Sequence, residues 1–459
     1  MSAAVRQPSP LARLAVAVGN LHASEPLTAV GGAVIEVAPS YCRVAGLSRL
    51  VKLGECVELH GQGKAQLAEV VRIDAQGVTI KPFDAMLQAG LGEHVWRRGY
   101  VTIEPHASWK GRTINALGRP IDGGGPLVPG PSAISTEREP PPPLSRQRVK
   151  LPIKTGVKVI DMFTPICAGQ RIGIFAGSGV GKSTLLAMLA RSKGFDSVVI
   201  ALVGERGREV REFMEDALGP ALARAVTVVA TGDESPMMRR LAPRTALSIA
   251  EHFRDQGESV LLIVDSVTRY AHAARDVALA AGEPPVARGY TPSVFSDLPK
   301  LLERAGPGAE GSGMITGVFS VLVDGDDHND PVADNIRGTL DGHIVLDRAI
   351  ADAGRFPAVN VLGSISRLAQ MAWSKDQAQL IGRLKAMIAR FEETRDLRLM
   401  GGYRAGSDPA LDRAIDIVPR LYDAIRQAPS DPVSADVFQD IARALSAEPA
   451  QAQQRPAGR

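Results

Sequence analysis

Ala176-Gly177-Ser178-Gly179-Val180-Gly181-Lys182-Ser183 follows the apolar run Ile172–Phe175 and opens a helix at Thr184–Arg191. Glycines let backbone N–H groups converge on phosphate oxygens without Cβ clashes, and the helix N-terminus adds partial positive charge. In this strand–loop–helix setting Gly177, Ser178, Gly179, Val180, Gly181, Lys182, Ser183 and Thr184 read as a phosphate-binding loop. Lys182 would reach the β- and γ-phosphates, and the Ser183 hydroxyl would ligate Mg²⁺. The first position is Ala176, where the strict pattern has glycine. The competing reading is a glycine turn that holds no nucleotide.

Around this loop, residues 155–365 alternate apolar strands with amphipathic helices. The expected strands are Arg171–Phe175, Ser197–Val203, Val226–Thr231, Val260–Val264, Met314–Val323 and His343–Leu346. Near-continuous apolar runs such as Val260-Leu261-Leu262-Ile263-Val264 suit a parallel sheet covered on both faces, hence an α/β fold.

Three further features sit at strand ends. Val260–Val264 stops at Asp265, whose carboxylate can hold the water shell of Mg²⁺; taken alone, such an Asp is more often a helix cap. Glu205 and Arg206 follow Ser197–Val203, at the sheet edge where α/β proteins bind ligands. A carboxylate there can orient and polarise an attacking water, and Arg206 can neutralise phosphate charge. The alternative is a solvated charge cluster opening a helix. Arg367, in Ser364-Ile365-Ser366-Arg367, is by itself more often a surface arginine than a finger that stabilises transition-state charge on a neighbouring subunit.

Farther out, residues 30–105 carry short β-branched runs punctuated by glycine: Ala33–Val37, Cys56–Leu59, Ala68–Ile73, Val78–Ile80 and Tyr100–Ile103. Their spacing predicts a small barrel or sandwich. The stripe Leu11, Leu14, Val18, Leu21 predicts a short amphipathic helix that either packs on its own domain or docks a partner. Pro140–Pro143 predicts an extended spacer. Helical signal dominates after about 370, in Gln377–Arg395 and Asp408–Ala424, and the Ala/Gln/Pro-rich tail from Glu448 predicts disorder.

Composition weighs against several classes. The net charge is only +3 and aromatics are 4%, against the dense basic face and stacking aromatics of nucleic-acid binders; no nucleic-acid partner is expected. No run approaches the roughly 20 apolar residues that span a bilayer, and Pro8 and Pro10 interrupt any signal-peptide layout. Cys42, Cys56 and Cys167 form no CxxC pair, which points to a reducing cytoplasm. The eight histidines make no HxxxH pair, and Asp324–Asp330 lacks the twelfth-position Glu of a calcium loop, so a solvated loop is expected there.

Taken together these residues resemble the catalytic subunits of rotary ATPases, and most closely the flagellum-specific export ATPases of bacterial type III secretion. The resemblance runs from about 27 to 445. It rests on blocks in order: Gly118–Asp122, Ala176–Thr184, Gly204–Val210, Leu262–Tyr270, Gly282–Tyr290, Ser296–Gly306, Asp324–Asp334, Leu340–Arg348 and Gly406–Ala414. It implies a RecA-like P-loop NTPase core (96–370), an N-terminal β-barrel domain (27–95) and a C-terminal helical domain (371–446). Residues 1–26 would dock a peripheral-stalk-like regulatory protein, and 447–459 would form the disordered tail.

The resemblance further implies a homohexamer whose six sites bind ATP with Mg²⁺ between subunits. Lys182 matches the phosphate-loop lysine, Ser183 the magnesium ligand, Glu205 the catalytic glutamate and Arg206 the adjacent phosphate-contacting arginine. Asp265 matches the second acidic motif and Arg367 the arginine finger. Other implied partners are a central-stalk-like coiled-coil protein, export chaperones and substrates, and a membrane export gate. The implied location is the cytoplasm, with peripheral association at the inner membrane. Alternatives are the sister ATPase of a virulence injectisome, a nucleotide-binding structural subunit of an ion-driven synthase, and an RNA-driven helicase. Intact Lys182 and Glu205 argue against the structural subunit, and the low aromatic content argues against the helicase.

Overall fold

The computed structural model describes Ser9, Leu11, Leu14 and residues 29–61, 63–323 and 330–446. Leu11 and Leu14 are helical and exposed. The rest of their stripe, the loop at 324–329 and the tail from 447 lie outside the described residues. The chain divides into two compact units, Met1–Tyr100 and Val101–Arg459.

The first unit is a closed barrel. Its strands are β1 (Gly31–Ala38), β2 (Tyr41–Ala45), β3 (Cys56–His60), β4 (Gln66–Ile73), β5 (Val78–Pro82) and β6 (His94–Gly99), in the order β1-β2-β5-β4-β3-β6. Closure leaves no free sheet edge. Val34, Val44, Leu59, Val70, Ile80 and Val95 fill the interior. Two strands, β2 and β6, were absent from the sequence expectation. In β6 only Val95 is fully buried, so there is little apolar alternation to detect. Ion pairs secure it instead, from Arg97 to Glu55 on one side and from Arg98 to Glu58. The barrel thus extends to Gly99, beyond the expected limit at 95, and the strand expected at Tyr100–Ile103 shrinks to Thr102–Ile103.

The second unit is built on one large sheet. Its main strands are β7 (Thr113–Asn115), β8 (Arg171–Ala176), β9 (Ser197–Val203), β10 (Ala225–Ala230), β11 (Ser259–Asp265), β12 (Met314–Leu322), β13 (Gly342–Leu346) and β14 (Ile365–Ser366). They lie in the order β14-β13-β8-β12-β11-β9-β10-β7. All of these pairings are parallel except β13 with β14. Every residue of β9 and β10 is buried, as a sheet covered on both faces requires. After β8 the chain goes to β9 on one side, while β13 lies on the other. That reversal opens a crevice at the carboxyl end of β8, where open α/β sheets take ligands.

Helices α1 (Lys375–Glu393), α2 (Pro409–Ile425) and α3 (Val437–Ser446) close the chain. Ser374 and Gln377 form a capping box that starts α1 at Lys375, two residues before the expected start. Ile381, Leu384 and Ile388 on α1 face Leu411, Ala414, Val418, Leu421 and Ile425 on α2, spacings of three and four that line one side of a helix. These residues belong to the same apolar cluster as Ile172 and Ile174 of β8, so the helices and the sheet share a core. Pro142 is extended (φ −54°, ψ 143°) and a 3₁₀ turn follows at Pro143–Ser145, ending the proline spacer.

Candidate active site

β8 leads into the glycine loop, and the helix Lys182–Ala190 follows it directly. Gly179 (φ +78°) and Gly181 (φ +89°) adopt left-handed backbone that an L side chain resists. Gly181 is the N-cap of the helix that follows. Ser183 and Thr184, in the first helical turn, are exposed. Arg348 anchors the loop from outside, its Nη2 donating to the Ser178 carbonyl at 2.8 Å.

Lys182 is the centre of a buried charge cluster. Its ammonium pairs with Asp265 and lies 3.6 Å from Glu205 Oε1. Asp265 ends β11 beside Leu202 of β9, and Glu205 follows β9, so adjacent strands deliver both acids to the same lysine. Both residues are largely buried, Asp265 at 2% exposure and Glu205 at 9%. Arg269 joins from the helix Val267–Ala280, its Nη1 2.7 Å from Glu205 Oε1. That contact is misaligned: Glu205 Oε1 and Arg269 Nη1 both remain without a hydrogen-bond partner. Buried polar atoms in that state cost free energy unless something polar meets them: a water can donate to Glu205 Oε1, and a water or phosphate oxygen can accept from Arg269 Nη1. The helix-cap reading of Asp265 goes to its neighbour, because Ser266 accepts from the Arg269 amide and caps that helix.

The other two sequence candidates stand apart from this cluster in the single chain. Arg206 turns to solvent, its side chain 84% exposed, and pairs with Glu209 on the short helix Gly207–Glu212. Arg367 follows β14, which runs antiparallel to β13 with Ser366 opposite Gly342. It therefore lies at the amino end of the parallel strands, ~13 Å of strand from the loop's level.

Two residues at the site went unnamed in the sequence. Arg269 stands four positions after Asp265, a spacing that could have flagged it. Phe356 is 45% exposed, and its ring lies 3.5 Å from where a Cβ on Gly181 would stand. Gln427 holds it, donating its backbone N–H to the Phe356 carbonyl at 2.9 Å. An aromatic directly before a proline, Phe356-Pro357, was the signal the sequence held.

Mg²⁺ typically takes one or two carboxylates plus substrate phosphates and water, not an all-protein cage. Asp265 offers one buried carboxylate beside the loop and Ser183 an exposed hydroxyl, a donor set that fits. Among the described residues no cluster of His, Cys, Asp and Glu forms a metal site of its own. None of the helices there is long and apolar enough to cross a membrane.

A glycine loop on a central parallel strand, with acids from two neighbouring strands at its lysine, defines a P-loop nucleotide-binding core of RecA type. Residues 156–366 match the ATP synthase alpha/beta family, nucleotide-binding domain, and residues 373–446 match the T3SS EscN ATPase C-terminal domain. The chain is 57% identical over 435 residues to the flagellum-specific ATP synthase of Agrobacterium fabrum, covering 95% of this chain and 92% of that one. The assembled ATPase EscN of the enteropathogenic E. coli type III secretion system superposes with a TM-score of 0.84 at 40% identity, over 90% of this chain and 100% of that chain. EscN in complex with its central stalk EscO gives 0.81 at 39% identity, with the same coverage. The chain belongs to the family of flagellum-specific ATP synthases and type III secretion ATPases.

Proposed function

We propose that the protein hydrolyses Mg-ATP and uses the energy to release or unfold export substrates and their chaperones in bacterial flagellar type III export. One observation carries the catalytic part: Lys182 is held between Asp265 and Glu205 at the mouth of the glycine loop. When ATP binds, the loop amides and Lys182 grip the β- and γ-phosphates, with Lys182 exchanging its carboxylate contact for phosphate oxygens. Ser183 and, through water, Asp265 would hold Mg²⁺, which supplies charge neutralisation at the phosphates. Glu205 orients and polarises the attacking water, with the Arg269 guanidinium paired to the same carboxylate. Phe356 offers a face on which the base stacks.

The remaining parts rest on likeness. Arg367, exposed and distant from its own loop, suits a finger acting on the next subunit, and with it a homohexamer. Arg206 reaches phosphate only if the turn after β9 rearranges. The EscN complex with EscO supports a central-stalk-like coiled-coil partner. A peripheral-stalk-like regulator at the N-terminus, an export gate at the inner membrane and a cytoplasmic location complete the proposal. The identity of 57% to a flagellar relative, against 40% to EscN, favours the flagellar system over an injectisome.

The test is phosphate release by the purified full chain under ring-forming conditions. Release that needs Mg²⁺ and vanishes in Lys182→Ala is expected. Release at background in the unaltered protein refutes the proposal.

A further inference from the structure

Arg367 is the exposed arginine that the proposed function lends to a neighbouring subunit, and its guanidinium has no hydrogen bond or ion pair among the described residues. Its backbone, in contrast, is tightly held. The Arg367 amide donates to the Asp341 carbonyl at 2.9 Å, and the Asp341 amide donates to the Arg171 carbonyl at 2.9 Å. The Asp341 carboxylate then receives three bonds from one residue: Arg171 N at 2.9 Å, Nε at 3.2 Å and Nη2 at 3.2 Å. Fully buried Gln170 ties the same point together, its Nε2 donating to Ser366 Oγ at 3.0 Å and to the Asp341 carbonyl at 3.3 Å. Ser366 Oγ donates onward to the Pro165 carbonyl at 2.8 Å.

Arg171 is the first residue of β8, the strand whose far end becomes the phosphate loop. Its guanidinium also pairs with Glu303, which pairs with Arg146 at 2.9 Å. Only 15% of the Arg171 side chain is exposed, so the bidentate grip on Asp341 is well shielded from water, and charge-assisted bonds of that kind fix geometry. The finger's free head and fixed root fit a group that must arrive at a foreign phosphate without searching.

We propose that Asp341, gripped by Arg171, is a positioning residue that aims Arg367 at the nucleotide of the neighbouring copy. The strand that carries a subunit's own phosphate loop thereby also braces the arginine it lends. This rests on the role of Arg367 in trans.

Mixed rings of full-length chains test it, with kcat read by phosphate release at saturating ATP. Asp341→Ala alone should lose on the order of 10²-fold in kcat, the usual consequence of a misplaced catalytic group, while the nucleotide affinity of unassembled protein stays unchanged. Mixed with Lys182→Ala, activity should rise above the mean of the two parents, because Lys182→Ala subunits lend a well-aimed Arg367 to intact loops. A parallel mixture of Arg367→Ala with Lys182→Ala should rise likewise. If only the Arg367→Ala mixture rises, the clamp serves its own loop and the positioning proposal is overturned while the trans role stands. If neither rises, the trans role fails and the proposal with it.

Asp341→Asn, which keeps shape and backbone, guards against a folding defect. It should fall between wild type and Asp341→Ala, and the double variant with Arg367→Ala should be no slower than Arg367→Ala alone. Losses that multiply would overturn the proposal, since residues acting through one another do not add.

Discussion

Replacing Glu205 by Gln keeps volume and removes one charge from the cluster around Lys182. Glu205 Oε1 stands 3.6 Å from Lys182 Nζ. At an effective dielectric constant of ~20 that contact represents about 4–5 kcal/mol of gross attraction. Burial of the carboxylate offsets much of it, and the Asp265 contact survives the change. Bound phosphates compete with Glu205 for the same ammonium, so removing the competitor should leave ATP affinity unchanged or raise it up to about tenfold, ~1.4 kcal/mol. Turnover should fall by roughly 10²–10⁴, because an amide cannot polarise water as a carboxylate does; that equals about 3–5 kcal/mol of barrier. Equilibrium titration with a fluorescent ATP analogue and single-turnover phosphate release read the two effects separately. Wild-type turnover, or an affinity loss beyond about 100-fold, would refute this role for Glu205.

Three other outcomes are expected. Phe356→Ala should raise Kd for ATP by about 5- to 150-fold with kcat little changed, since a base–aromatic stack is worth roughly 1–3 kcal/mol; equal affinity for ATP and bare triphosphate in the wild type would contradict this. The Arg112 guanidinium, hydrogen-bonded to Asp122, holds that carboxyl well below its ordinary value of 3.8. Its stabilising share is therefore fully present above 3.8 and lost as pH falls through the lower folded-state value. Denaturant midpoints from about pH 5 down to about pH 2 should show the stability gap between wild type and Asp122→Asn narrowing as pH falls. Ile388→Ala, in the core shared by α1 and α2, should cost about 2–5 kcal/mol of stability in denaturant unfolding; a loss under ~0.5 kcal/mol would place that side chain outside a packed core.

The site's local parts were legible in sequence, and its long-range parts were not. The phosphate loop is specified by glycines at left-handed positions and by a lysine at the helix start, all within eight residues. Asp265 and Glu205 were visible as acids at the ends of apolar runs. That they meet at one ammonium depends on β9 and β11 being neighbours in the sheet, which no local pattern encodes. Phe356 reaches the loop because β13 lies beside β8, although 175 positions separate it from Gly181 (356 − 181). Arg206 shows the converse: its position in the motif was clear, but the turn after β9 sends its side chain to Glu209 and solvent. In the barrel, β6 escaped notice because ion pairs secure it where apolar alternation would normally mark a strand.

The most direct test of the central claim is a structure of the assembled protein with Mg²⁺ and a non-hydrolysable ATP analogue. The triphosphate should lie along Gly177–Thr184, with Lys182 drawn off Asp265 onto phosphate oxygens and the neighbouring copy's Arg367 at the γ-phosphate. A nucleotide bound elsewhere, or a Lys182 still paired to Asp265 with the loop filled, would contradict the account.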